Sequence, residues 1–210
     1  MLEHTGNPDL PFAEACERNR EPILAALLPH MPGRGIALEI GSGTGQHVVF
    51  FAPRFSRVSW QPSDRLEHLP GLNARIRAEG SANILPAIEL DVRGVWPDRN
   101  FAAVYSANTA HIMGWPEVCD MVSGIGRRLE PGGTFFLYGP FNEGGRATAG
   151  SNAEFDRHLQ ARDPAMGLRD VEALDALARQ HRMRLNERIA MPANNQLLVF
   201  SRHDGKRTNE

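Results

Sequence analysis

The sequence predicts an α/β fold: one three-layer α/β/α domain on a mostly parallel seven-stranded sheet, with an antiparallel C-terminal strand. Three observations carry this expectation. Strand-like apolar runs alternate with helical runs over residues 36–138, which implies parallel strands with helices on both faces. The first of these runs, Ile36-Ala37-Leu38-Glu39-Ile40, passes into Gly41-Ser42-Gly43-Thr44-Gly45 and then into the apolar residues 48–51, a strand, a tight turn and a helix start. Two late strand patterns, residues 184–190 and 196–201, form a closing hairpin that supplies the antiparallel strand.

Composition bounds the rest. A 210-residue chain that is 41% hydrophobic and 23% charged has the material for a single domain with a full core, taken as residues 1–210. A formal charge of −2 offers no broad electrostatic footprint for nucleic acid or an anionic membrane. Cys16 and Cys119 share no metal-ligand spacing, so two reduced thiols and no metal are expected. The opening residues lack a basic segment followed by an apolar one, and no apolar run approaches membrane-spanning length. A cytoplasmic protein is expected.

Residues 1–11 read as a loose arm and 12–28 as a helical cap, which Pro22 should kink or split in two. Residues 57–61 form the second strand, ending in Pro62-Ser63-Asp64, and residues 66–78 a helix. Asp64 lies 19 residues beyond Gly45, where a nucleotide-binding unit places a ribose-binding carboxylate. Ser63 and Asp64 also suit a helix N-cap. A third strand spans residues 84–90 and runs into Asp91-Val92, and a fourth spans 101–105. Apolar Val118, Met121, Val122, Ile125 and Leu129 mark one stripe of a helix over 116–129, and Glu130-Pro131-Gly132-Gly133-Thr134 turns the chain into a fifth strand, 135–138. Residues 139–152, polar and glycine-bearing, read as a flexible lid or substrate loop. Helices follow at 153–161 and, capped by Asp170, at 171–180; residues 204–210 read as a frayed tail.

The glycine turn separates two cofactor classes. A dinucleotide turn needs G-x-G-x-x-G, but the third glycine here comes one residue early and Gln46 takes its place. With Glu39 two residues before the first glycine, the pattern resembles motif I of the class I S-adenosyl-L-methionine (SAM) methyltransferases. The L-E-P-G-G-T-F-F-L run resembles that family's entry to its fifth strand, and the terminal hairpin resembles its last strand, inserted between the fifth and sixth. A narrower resemblance, to the methyltransferase-like twenty-six family, rests on E-R-N-R-E-P-I-L, L-E-I-G-S-G-T-G-Q-H, W-Q-P-S-D, A-N-x-x-H-I, L-Y-G-P-F, S-N-x-x-F-D and M-P-A-N-N. These likenesses imply a Rossmann-like methyltransferase fold, SAM as cofactor and S-adenosylhomocysteine as product. They imply that Glu39, Gly41, Ser42, Gly43 and Gly45 shape the methionine end, Asp64 the ribose, and Asp91 and Val92 the adenine. Arg18 and Asn19, on the helix that covers the cofactor in this fold, are expected at its carboxylate.

Methyl transfer is an in-line displacement that asks the protein mainly for positioning. Asn108 and His111 follow the fourth strand, opposite the expected methyl group. His111 either takes a proton from the acceptor or hydrogen-bonds locally. Asn108 either holds acceptor and cofactor or caps the turn. Tyr138, Phe141, Asn152, Asp156 and Asn194 are expected around a small-molecule acceptor, with Phe155 as core packing, Asn195 beside Asn194, and Arg162 and Arg169 as anion grips or surface ion pairs. His47 is a cap or a cofactor contact. Rival readings are a SAM-fold protein without catalysis, a non-methylating use of SAM, and an NAD-dependent oxidoreductase. Nucleic acid as substrate is disfavoured by the charge and by S-A-N-T where an N-P-P-Y or D-P-P-Y motif would stand.

Overall fold

The structure, a computed structural model, describes residues 10–203. Most of the expected arm and the whole of the expected tail lie outside these residues. Helix α1 (Glu14–Leu27) leads into β1 (Gly35–Ile40), α2 (Gln46–Phe51), β2 (Val58–Asp64), α3 (Leu69–Glu79), β3 (Ile88–Glu89) and β4 (Phe101–Ala107). Helix α4 (Trp115–Arg128) and β5 (Leu129–Gly139) follow, then β6 (Phe141–Glu143), β7 (Arg146–Ala147), α5 (Gly150–Arg162), β8 (Arg169–Asp170), α6 (Val171–Gln180), β9 (Met183–Met191) and β10 (Asn195–Arg202). The main sheet has seven strands in the order β3-β2-β1-β4-β5-β10-β9, and β10 alone runs antiparallel, between β5 and β9.

Strand alternation divides the core into two layers, as the period of two requires. Leu38, Val104, Phe135, Leu137 and Leu198 face the side covered by α4 and α6. Their chain neighbours Ala37, Ala103, Phe136, Leu197 and Val199 face α1, α2 and α3. The α4 stripe Val118, Met121, Val122 and Ile125 is fully or almost fully buried, and each such side chain contributes about 1.5–3 kcal/mol. Gly124 on α4 gives room to Trp96: a Cβ there would stand 2.0 Å from the indole.

Three expectations are corrected. Helix α1 runs through Pro22 unsplit, because packing of Ile23, Leu24 and Leu27 on the core outweighs one lost backbone bond. Strand β2 runs on to Asp64, the end expected for it. Pro62 is tolerated because its ladder side faces the stretch before β3 begins, where Gln61 Nε2 donates instead to Pro86 O at 2.6 Å. Strand β3 is two residues long, not seven, since Pro86 lacks a donor and only an isolated bridge, Trp60 to Ile84, precedes it. Residues 139–152 are not a free lid. β6 and β7 form a hairpin through Gly144 and Gly145, both at positive φ, β8 adds to β6 as a third strand, and α5 starts at Gly150. Glu130 to Gly133 turn the chain as expected, but within β5, as an irregularity opposite Phe101 and Ala103.

Candidate functional site

At the C-terminal edge of the parallel strands lies a cleft of about 290 Å³. Gly41, Gly43, Asp64, Asp91, Val92 and Asn108, scattered over residues 41–108 and all expected at the cofactor, line it together. Each arrives on the end of a strand or in the loop beyond it. Asp64 closes β2 and is 7% exposed: its Oδ2 accepts the Gly43 N–H at 2.6 Å and its Oδ1 the Arg65 N–H at 2.7 Å. It caps no helix, and Ser63 does not either, since the Ser63 hydroxyl donates to Glu39 O. Asp91 accepts the Arg93 N–H at 2.9 Å, and that backbone bond, aided by the Arg93 guanidinium, holds its carboxyl below the usual range. It therefore presents an ionised acceptor to the cleft.

The three glycines differ in role. Gly43 has φ +54, and a Cβ there would meet nothing within 4 Å. A Cβ at Gly41 would stand 2.6 Å from Thr109 Cγ2, and one at Gly45 3.0 Å from Leu72. Only Gly43 leaves its space to the cleft. Ser42 pins the turn to β2, its N–H donating to Ser63 O and its Oγ accepting the Ser63 N–H.

Other expected residues lie elsewhere. Arg18 is exposed and paired with Glu14 at 3.0 Å, and does not line the cleft. Glu39 points into the α1–α3 layer, where its carboxylate accepts the Trp60 indole N–H at 3.1 Å; burial pushes its pKa up to about 7. Asn19 is buried and its Oδ1 accepts from His47 Nε2 at 2.7 Å, while the Tyr105 hydroxyl lies 3.2 Å from His47 Nδ1. Burial, with Arg20, lowers His47 to about 4, so it is neutral and acts as a relay between α1 and β4 rather than as a cap. These side chains form a polar seam below the glycine turn.

Asn108 holds φ +58, a left-handed conformation asparagine tolerates, and donates its N–H to Tyr138 O at 2.9 Å. His111 is 7% exposed, meets Phe155 edge to face at 5.2 Å, and is lowered to about 4 by burial and then by Arg169. Phe155 is 37% exposed, so it is not the core residue expected.

The expected acceptor residues do not line the cleft. Phe141 is core, packed with the α4–α6 layer. Tyr138 is buried in the opposite layer, with Asn19 as a hydrogen-bond partner. Asn152 is buried and its Nδ2 donates to Thr148 Oγ1 and Asn194 O, while Asn194 Nδ2 donates to Ser151 Oγ. Asn195 donates to Pro192 O and Ala193 O. Asp156 accepts from Leu168 N and Gln160 Nε2. Their polar groups thus tie the small sheet, α5 and the β9–β10 link together. Arg169 is neither an anion grip nor an ion pair: its guanidinium donates to the carbonyls of Ala110, Met113 and Ala165. It staples the loop after β4. Arg162, the last residue of α5, is exposed.

Sequence reasoning missed three supports. Gln46 Oε1 accepts the Ala13 N–H at 2.7 Å and the Thr44 hydroxyl at 2.9 Å. Arg75, buried, donates to Thr44 O and Pro11 O. Thr109 lines the cleft and hydrogen-bonds Ser106 at 2.6 Å. Gln46 and Thr109 each adjoin a residue that was singled out; Arg75 gave no signal beyond an arginine in a helix.

The fold resembles that of solved class I methyltransferases. An O-methyltransferase family protein from Burkholderia thailandensis superposes with a TM-score of 0.78 at 16% identity, over 92% of this chain and 59% of that one. CalO1, a methyltransferase of calicheamicin biosynthesis in its S-adenosylhomocysteine-bound form, gives 0.69 at 16% identity, over 87% and 55%. An O-methyltransferase family 2 protein from Planctomyces limnophilus, in complex with apigenin, gives 0.72 at 13% identity, over 87% and 61%. The chain spans 55–61% of the length of these proteins. At such identities the likeness establishes the fold. The model of the family described as "Protein of unknown function (DUF938)" matches residues 10–202, and the chain belongs to that family.

Proposed function

We propose that this protein is a SAM-dependent methyltransferase acting on a small molecule, a reading in keeping with its resemblance to the methyltransferase-like twenty-six family. The observation that carries it is the convergence on one cleft of Gly43, Asp64 and Asp91, from three successive strand ends. These residues fit the cofactor. The cradle over Gly43 is one a side chain would fill, and the two carboxylates that line the cleft can serve as acceptors for ribose hydroxyls and an adenine amino group. The fit to a dinucleotide is poorer: Gln46 fills the third-glycine position, buried and bonded to Ala13 and Thr44.

When bound, the cofactor supplies an electrophilic methyl and its own leaving group. In this reading Asp64 holds the ribose while bracing the glycine turn, Asp91 and the Val92 backbone hold the adenine, and Asn108 orients the groups at the end of β4. His111 is buried and does not line the cleft; neutral at pH 7, it is in this reading a weak base for an acceptor that reaches it and loses its proton easily, such as an acidic hydroxyl. Calorimetric titration of S-adenosylhomocysteine into the wild type, Asp64→Ala and Asp91→Ala tests the assignment. The wild type should bind and Asp64→Ala should lose about a hundredfold or more in affinity, two charge-assisted hydrogen bonds' worth. Selective binding of NAD by the wild type would overturn the reading.

A further inference from the structure

A second concavity, of about 360 Å³, lies at the opposite edge of the sheet, between the C-terminal ends of α4 and α6 and the end of β10. Its wall is Gly126, Arg127, Gln180, His181, Arg182 and Arg202. Gly126 lets it form: a Cβ there would lie 2.6 Å from His181 Cβ and 2.8 Å from the His181 carbonyl oxygen, so only glycine lets the end of α6 come this close to α4. α6 stops at His181, and Arg182 takes the next position at φ +62. Glycine is favoured at that left-handed position, yet an arginine stands there at a conformational cost.

Among the described residues the three guanidinium groups have no carboxylate partner. Arg127 Nη1 donates to Ser123 Oγ and Arg202 Nη1 to Leu129 O, while the Arg182 side chain has no hydrogen-bond or ion-pair partner among the described residues. By contrast, neighbouring Arg128 pairs with Asp98 at 2.9 Å and Arg179 with Asp175 at 2.8 Å. Helix C-termini favour cations, which accounts for Arg127 and Arg182 in part. It does not account for Arg202, which closes a strand. Together with burial, Arg127 also lowers the proton affinity of His181, a sign of a positive field within the concavity.

We propose that this concavity is a binding site for the phosphoryl group of a small phosphorylated ligand, held by Arg127, Arg182 and Arg202. Planar guanidinium forks match phosphoryl oxygens and donate several hydrogen bonds to them. The site stands at the edge remote from the cleft and does not depend on the cofactor assignment.

The test is calorimetric titration of inorganic pyrophosphate and of adenosine monophosphate into the full chain at constant ionic strength, in the wild type, Arg182→Gly and Arg127→Gln. Saturable binding is expected in the wild type, weakened about tenfold or more in both variants. Arg182→Gly relieves the left-handed strain, so its thermal midpoint should not fall and the loss reads as a lost contact. Weakening of both pyrophosphate and nucleotide in both variants supports the site, whereas nucleotide binding that both variants retain in full belongs to the cleft and counts against it. Unchanged pyrophosphate affinity in Arg182→Gly, or no saturable binding of either anion, would overturn the proposal.

Discussion

Gly43→Ala separates a turn built for a ligand from a turn that merely folds. The added methyl meets no protein atom within 4 Å, so the native chain opposes it only through its backbone. A non-glycine residue at φ +54 costs about 1–2 kcal/mol, or about 2–8 °C in melting temperature for a domain of this size. The methyl enters the cleft that Gly43 helps to line, where a ligand must lie against bare backbone. Calorimetry should therefore show S-adenosylhomocysteine affinity reduced about a hundredfold or more, roughly 3 kcal/mol, against that small stability loss. Gly41→Ala, with Thr109 at 2.6 Å, should instead damage folding and binding together. Retention of wild-type affinity by a folded Gly43→Ala would refute the reasoning, because the cleft wall would then not be where the ligand lies.

Other perturbations read other parts of the structure. The folded protein keeps a proton on Glu39 up to about pH 7, whereas the unfolded chain releases it near 4.5, so its ionisation weakens the fold as pH rises through that window. Denaturant melts should show wild-type stability falling relative to Glu39→Gln by on the order of 3 kcal/mol from pH 4.5 to 7, then holding level; a constant difference would place Glu39 in water. His111 should titrate near pH 4 by NMR and stay neutral at pH 7, and its share of stability should be lost as pH falls from 6.5 through 4; a midpoint near 6.5 would contradict its burial. Arg169→Ala removes three bonds to loop carbonyls and should cost about 2–4 kcal/mol and weaken cofactor binding through Met113 and Asn108, checked by melting and calorimetry. Gly124→Ala drives a methyl into Trp96 and should cost about 1–3 kcal/mol, with partial recovery when Trp96→Leu is added.

The layer order and the cleft were legible because their signals are local. Glycine spacing, an acid at a strand end and an apolar stripe each sit within a few residues, and the topology brings them to one edge. What failed depended on partners far along the chain. Arg18 and Asn19 are neighbours in sequence, yet α1 turns one outward to Glu14 and the other inward to His47, and no motif states which. Residues 139–152 read as flexible because strand pairing with Arg169 and Asp170 lies some thirty residues downstream. Asn152, Asp156 and Asn194 have the polarity of pocket residues, but Asn152 and Asn194 are spent joining α5 to the β9–β10 link and Asp156 joins α5 to the backbone before β8. Pro22 misled in the opposite sense, since tertiary packing overrode a local rule.

The place of β10 has a consequence for the order in which the molecule assembles. Among the described residues β9 pairs with β10 alone, and β10 reaches β5 across some sixty intervening residues, with Val199 opposite Phe136. The sheet can grow from β1 outward to β5 as those residues emerge, but β9 has no place to dock until the strand after it has been made. Closure is therefore a late, non-local event, of the kind that slows folding. Until it occurs, β5 keeps an open edge whose residues Phe135, Phe136 and Leu137 are wholly apolar, and an unpaired edge of that kind invites other chains. The last strand is thus the seal on the middle of the sheet, and the interval before it arrives is when the chain is most exposed to misassembly.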